Sequence, residues 1–125
     1  MSDLAYDPKR VADENDWDLV LPEQDELFLD IDCEDDVPGM MQQLALLTKN
    51  KFVCSVTRNT PSKTAGHRHI VIKFPQVVDD MTRVALQACL GSDRRREILS
   101  VLRLLLKVDR PATCFFELPS SPRQP

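Results

Sequence analysis

The expected fold is derived from the stretch ELFLDID, residues 26–32, which carries the clearest period-2 pattern in the 125-residue chain. Alternating large and polar side chains over such a length are typical of a strand with one buried face. The aliphatic positions of the pattern are Leu27, Leu29 and Ile31. Asp30 and Asp32 then point to the opposite face, since successive side chains of a strand alternate. The stretch therefore predicts a strand that ends in two carboxylates.

A second β-prone stretch, HRHIVIKF at residues 67–74, carries both histidines of the chain. Its alternation directs one set of apolar side chains to the core, namely Ile70, Ile72 and Phe74. His67 and His69 fall on the other face, at the beginning of the strand. A polar loop that contains Gly66 comes directly before them.

The other patterns complete the order β-α-β-β-α-β, with the second helix doubled. Strands are predicted at residues 51–57 and 112–118, and helices at residues 34–50, 77–92 and 92–107. This order is that of an α+β fold of the ferredoxin-like or RRM-like split βαβ type, one antiparallel sheet with helices on one face. Right-handed crossovers then place the first and third strands side by side.

The composition indicates one globular domain, with 42% hydrophobic and 29% charged residues. We expect an acidic arm at residues 1–25, a domain at residues 26–118 and a disordered tail at residues 119–125. The net charge of −4 argues against unspecific electrostatic coating of nucleic acid. No apolar run is long enough for a membrane span and no secretion signal is recognisable, so we expect a cytoplasmic protein.

The topology brings the histidines to the aspartates. In antiparallel neighbours the end of the first strand meets the start of the third, so Asp30 and Asp32 face His67 and His69. Carboxylates two residues apart on one strand repel each other, and a divalent cation, Mg²⁺ or Mn²⁺, relieves that repulsion. The alternative is an acid-rich strand end that favours the following helix dipole without any metal, beside solvated histidines.

The Asp-x-Asp strand, the helix after it and the hairpin that ends in histidine resemble the palm module of the archaeo-eukaryotic primase (primase-polymerase) superfamily. The layout is also similar to that of small phage-encoded proteins. Asp30 and Asp32 match the first motif of the family, and His69 in TPSKTAGHRHI matches the second. Glu117 is the nearest match to the acid of the third motif, with Asp109 as the alternative.

The resemblance implies a metal-dependent nucleotidyl-transfer or nucleotide-binding protein of phage or mobile-element replication. Its catalytic residues would be Asp30, Asp32 and His69. Its Mg²⁺ or Mn²⁺ ligands would be Asp30, Asp32 and Glu117. Its nucleotide phosphates would contact His67, His69, Lys63 and Lys73. The partner would then be a nucleotide or a single-stranded nucleic acid.

Two further surfaces carry alternatives. Arg94, Arg95 and Arg96 follow a helix N-cap and would contact nucleic acid, or simply form a solvated helix start. The apolar stripe of the 93–107 helix would face the core, or form a homodimer surface. The alternative function is a non-catalytic nucleic-acid-binding or protein-interaction module with a degenerate primase-like fold. Only Phe28 and Phe115 have the parity to stack on bases from the open sheet face.

Overall fold

The computed structural model describes residues 7–119, so most of the predicted tail and the first six residues lie outside the described part. The helices and strands are α1 (Pro8–Asn15), β1 (Asp18–Val20), β2 (Glu26–Ile31), a 3₁₀ turn (Glu34–Asp36), α2 (Val37–Lys49), β3 (Ser55–Pro61), β4 (Arg68–Lys73), α3 (Asp80–Cys89), α4 (Arg94–Leu105) and β5 (Phe115–Glu117). The α+β class is confirmed. The predicted acidic arm contains a helix and a strand of its own. Across residues 7–119, no helix has both the length and the apolar character that a membrane crossing requires.

One predicted strand begins later than its sequence pattern indicates. The prediction started at Lys51, whereas β3 starts at Ser55. Lys51 has a positive φ of 74°, and the next N–H, that of Phe52, donates to the carbonyl of Leu47. This is the Schellman geometry that ends a helix. The residues of the predicted strand that precede Ser55 therefore form the end of α2 and the loop after it.

The two helices of the C-terminal half, α3 and α4, each begin at an aspartate N-cap. The side chain of Asp79 accepts from the N–H of Thr82 at 2.7 Å at the start of α3. The side chain of Asp93 accepts from the N–H of Arg95 at 3.0 Å at the start of α4. Gly91, with a φ of 100°, separates the two helices. These contacts satisfy backbone donors that the first turn of a helix leaves without partners.

The main sheet has the order β2-β4-β3, with β4 antiparallel to both neighbours. The first and third predicted strands are β2 and β4, so their predicted adjacency is confirmed. In the register, Leu29 lies opposite Ile70 and Asp30 lies opposite His69. One face of the sheet packs against α2 and α3 through a buried cluster of Leu27, Leu29, Ile31, Met40, Leu44, Ile70, Ile72, Phe74, Val78 and Leu90.

The outer edge of β2 is closed by side chains instead of by a strand. Four of these contacts are Phe28 N–H to Gln87 Oε1, Asp30 N–H to Ser92 Oγ, Arg83 Nε to Glu26 O and Arg96 Nη1 to Phe28 O, all between 2.8 and 3.0 Å. A ferredoxin-like sheet would place its fourth strand at this edge. Residues of α3, of α4 and of the turn between them already occupy its hydrogen-bonding groups.

The predicted fourth strand, β5, pairs instead with β1, in the register Asp18 to Glu117 and Val20 to Phe115. We call these two strands the ribbon. The ribbon covers the sheet face opposite to the helices, where the ring of Phe115 stacks on that of Phe28 with centroids 4.4 Å apart. The face that was predicted to be open is therefore partly covered.

Candidate metal centre

The hairpin between β3 and β4 sets the position of His67. The N–H of Ser62 donates to the carbonyl of His67 at 3.0 Å, and the N–H of His67 donates to the carbonyl of Thr64 at 3.1 Å. Gly66 has a φ of 83°, a conformation that favours glycine. Its carbonyl accepts from the N–H of Glu34 at 3.1 Å, which fastens the turn to the chain just beyond β2. The turn thus holds His67 against the end of β2.

Asp30, Asp32 and His67 converge at this point and form the three-residue cluster. One ligand atom from each lies within 4.8 Å of the other two. His67 Nδ1 is 3.8 Å from Asp30 Oδ1 and 3.6 Å from Asp32 Oδ1, which is too long for hydrogen bonds. An octahedral ion with ligands at about 2.1 Å keeps neighbouring ligand atoms roughly 3 Å apart. A small inward movement of these side chains would bring all three onto one ion.

One oxygen of the cluster lacks a partner. Asp30 Oδ1 is buried and accepts no hydrogen bond from any residue between 7 and 119. A buried carboxylate oxygen left in this state costs free energy, and native structures rarely keep one without an ion, a water or a donor. The donor set and this oxygen therefore fit a cation.

The electrostatics of the cluster also favour a positive ion. Burial, the charge of Asp93 and the charge of Asp30 together raise the pKa of Asp32, and His67 only partly opposes them. A raised pKa means that the carboxylate form is disfavoured where it stands. A bound cation would remove this penalty.

The mixture of ligand types bears on the choice of metal. Carboxylates suit Mg²⁺, Ca²⁺ and Mn²⁺, whereas imidazole suits softer transition metals. Two carboxylates with one imidazole are therefore a donor set that could hold a divalent metal ion.

His69 lies on the same face as the cluster but contacts different groups. Its Nδ1 is 3.1 Å from Glu117 Oε2, and its ring stacks on that of Phe115 with centroids 3.9 Å apart. Glu117 also accepts from Arg58. The side chain of His69 is 6% exposed, and burial lowers its pKa although Glu117 acts in the opposite direction. Burial thus disfavours the charged form of His69, and its imidazole joins the sheet to the ribbon.

The other predicted site residues are distributed over the molecule. Glu117 belongs with His69, outside the three-residue cluster, and Asp109 is exposed between α4 and β5. Lys73 stands at the far end of β4, where its Nζ is 2.8 Å from Asp25. Lys63 lies over the ring of Trp17, 4.2 Å from its centroid, and lines a cavity that Asp30 also lines.

The arginine run divides. Arg96 donates to the carbonyl of Cys114 and contacts Glu97, in addition to closing the edge of β2. The guanidinium of Arg96 thus binds groups within the protein. Arg94 and Arg95 are exposed. The predicted nucleic-acid contact is therefore limited to two of the three arginines.

A cavity of about 210 Å³ adjoins the three-residue cluster, and Asp30 belongs to both. Its lining includes Lys63, His69 and the buried Arg103. The sequence pattern gave no reason to single out Arg103, since an arginine in an apolar helix usually faces solvent. His67 was predicted to contact phosphate and Glu117 to complete the metal ligands; the parity that His67 shares with residue 69 was the signal that could have placed His67 with the two aspartates.

Comparisons with known proteins complete the description of the site. No family model, curated protein sequence or solved structure matches this chain. The resemblance to the primase superfamily therefore stays a prediction.

Proposed function

We propose that this protein binds nucleotide phosphates through a divalent cation held by Asp30, Asp32 and His67. The observation that carries the proposal is the convergence of these three side chains, with one buried oxygen of Asp30 left without a partner. The proposal differs from the family expectation in two respects. His67 takes the place of Glu117 as the third ligand, and the mixed ligand set favours Mn²⁺ over Mg²⁺.

The cavity beside the cluster supports the choice of a phosphate ligand. Lys63 and Arg103 bring positive charge to its lining, and Asp30 connects it to the cation ligands. Its volume of about 210 Å³ is below the roughly 300–1,000 Å³ of sites that enclose a whole small molecule. We therefore assign the cavity to the phosphates and leave the base and sugar outside.

The residues around the cavity have separable roles in this proposal. A cation held by the cluster would act as a Lewis acid on the phosphoryl oxygens. Lys63 would supply a second positive contact. Because Glu117 engages Nδ1 of His69, any contact of His69 with a phosphate would go through Nε2.

A primase-like palm in phage or mobile-element replication is the wider form of the proposal. The order β2, α2, β3 and β4, with β2 next to β4, supports it, since this is the first half of a ferredoxin-like palm. The displaced β5 is the departure. A base-stacking sheet finds less support, because Phe28 and Phe115 are buried and stacked on each other.

A Mn²⁺ titration of the ¹⁵N-labelled chain tests the cation site. We expect paramagnetic broadening of the amides near the cluster, and a dissociation constant at least tenfold weaker in Asp30→Asn and in His67→Ala. Asp35→Asn is the matched control, because it removes one carboxylate from the same acid-rich stretch outside the cluster. Equal weakening by all three variants, or no broadening at all, would overturn the cation site.

A second titration, with ATP in the presence of Mn²⁺, tests the phosphate ligand. Lys63→Ala should weaken ATP binding several-fold while Mn²⁺ binding is kept. Lys51→Ala is the control, since Lys51 lies in the loop between α2 and β3. Mn²⁺ binding without any ATP binding would leave the cation site standing and contradict the nucleotide.

A further inference from the structure

Helix α4 presents its polar side to the interior and its apolar side to solvent. Its buried residues are Glu97, Ser100 and Arg103. Three large aliphatic residues on its opposite side are well exposed, Ile98 at 59%, Leu102 at 38% and Leu105 at 63%. They follow the spacing i, i+4 and i+7 of a single helix stripe.

Interior hydrogen bonds fix this orientation. Gln87 Nε2 donates to both carboxylate oxygens of Glu97 at 3.2 Å. The hydroxyl of Ser100 contacts the carbonyl of Ala112 at 2.6 Å. Rotating α4 to bury its aliphatic stripe would break these contacts and strand buried polar groups. The apolar side of α4 is therefore held outward.

A groove lies beside the stripe, between α3 and α4. Its aliphatic lining comes from Val84, Ala85, Ala88, Ile98, Val101 and Leu102, and it encloses about 250 Å³. The two alanines keep its α3 wall low, so another helix could approach closely. Ridge and groove thus occur side by side on one surface, which we call the α3–α4 face and define by these residues with Leu105.

The ends of the α3–α4 face carry opposite charges. Arg94 lines the groove at the start of α4. Asp80 lies at the start of α3, one turn before Val84; its side chain is 65% exposed and already accepts from Arg83 Nη1 at 2.7 Å. In a two-fold arrangement with antiparallel helices, Arg94 of each copy approaches Asp80 of the other. The same rotation places the ridge of each copy in the groove of the other.

We propose that the α3–α4 face binds a second copy of this chain about such a two-fold axis. The expected contact is small. A 12-residue helix is about 18 Å long, and two helices packed roughly 9 Å apart present a face about 18 Å wide, so the face measures about 320 Å² per copy. Standard stable interfaces bury about 800 Å² per partner. The dimer should therefore be weak and depend on concentration.

Analytical ultracentrifugation of the full chain, from micromolar to millimolar concentration, tests this dimer. The average mass should rise with concentration, and Ile98→Glu and Leu102→Glu should each weaken association at least tenfold. Leu46→Glu is the matched control, since Leu46 is a leucine on α2 with 53% exposure. A wild-type chain that stays monomeric, or association that survives both glutamates, would overturn the proposal.

Charge reversal tests the two-fold pairing. Arg94→Asp and Asp80→Lys should each associate poorly alone, because each places like charges at both ends of the interface. An equimolar mixture of the two should regain association, since every 94–80 pair is then attractive. Circular dichroism melting of each variant checks its fold, in particular that of Asp80→Lys, which removes the carboxylate partner of the buried Arg83. A mixture no better than its components would contradict this geometry.

Discussion

The two faces of the sheet β2-β4-β3 are covered in different ways. On the helix side, β2 and β4 contribute only aliphatic side chains to a cluster completed by Phe74, α2 and α3. On the ribbon side, the same strands contribute Asp30 and His69 together with Phe28 and Val71. An aliphatic side chain is satisfied by any close-packed neighbour, whereas an imidazole or a carboxylate needs a particular partner. The helix side should therefore contribute most of the free energy of unfolding, and the ribbon side should provide the groups that titrate or bind ligands.

Leu29→Ala, on the helix side, should have the largest effect on stability. Leu29 is fully buried, and its truncation leaves a cavity between the sheet and the helices. We expect the free energy of unfolding to fall by about 2–5 kcal/mol, as measured by urea denaturation. Mn²⁺ affinity of the folded protein should be unchanged. A loss below about 1 kcal/mol would erase the contrast between the faces.

Gln87→Leu, at the edge of β2 between the two faces, should rank second. The change leaves the buried N–H of Phe28 without its acceptor and Glu97 without two contacts. We expect a loss of about 1–3 kcal/mol in the same denaturation assay. Gln43→Leu, at an exposed position of α2, is the control and should stay within about 0.5 kcal/mol of the wild type. Similar losses in both variants would show that the edge contacts carry no particular weight.

His69, on the ribbon side, should give the fold a dependence on pH. Its pKa is lowered in the folded protein, so the unfolded chain takes up the proton first. The free energy of unfolding should therefore fall as the pH drops below about 6.5, the ordinary value for histidine. Urea denaturation at pH 7 and pH 5 measures this fall. His69→Phe should reduce it and His67→Phe should retain it; an equal fall in all three proteins would exclude His69 as its source.

Asp32→Asn should have the smallest effect, and of the opposite sign. Because burial and neighbouring carboxylates raise the pKa of Asp32, its charge opposes folding at neutral pH. The side chain is 56% exposed and solvent screens it, so the gain in stability should not exceed about 0.5 kcal/mol. Thermal melting without metal measures the gain, and Asp35→Asn is the charge control. A clear loss of stability would mean that the cluster is not electrostatically strained.

The alternation of residues 26–32 and 67–74 was sufficient to predict the helix side of the sheet. Period-2 patterns report which side chains share a face, so Leu29, Ile70 and the opposition of Asp30 to His69 followed from sequence and topology. The pattern also put His67 on the correct face. It could not show that His67 would turn toward the aspartates while His69 turned toward the ribbon, because that depends on a glycine turn and on Glu117, far away in the chain.

The position of β5 could not be predicted for a similar reason. Its placement depends on polar side chains of α3 and α4, such as Gln87 and Arg96, that occupy the edge of β2. A glutamine or an arginine in a helix ordinarily indicates a solvated surface. Propensity and periodicity therefore gave the class of fold, whereas long-range hydrogen bonds decided which edge was available. Long-range hydrogen bonds of buried polar residues also explain why α4 turns its polar side to the interior.

The ribbon has a consequence for the order of assembly. It joins β1 to β5, so its closure carries the largest loop entropy of the strand pairings between residues 7 and 119. The hairpin of β3 and β4 is local and should form early. Until β5 brings Phe115 and Glu117 into contact with it, His69 would be exposed to solvent and able to take up a proton. The ribbon side of the sheet should therefore form its contacts after the helix side has packed. Pulsed hydrogen exchange should show the amides of β1 and β5 becoming protected later than those of β3 and β4.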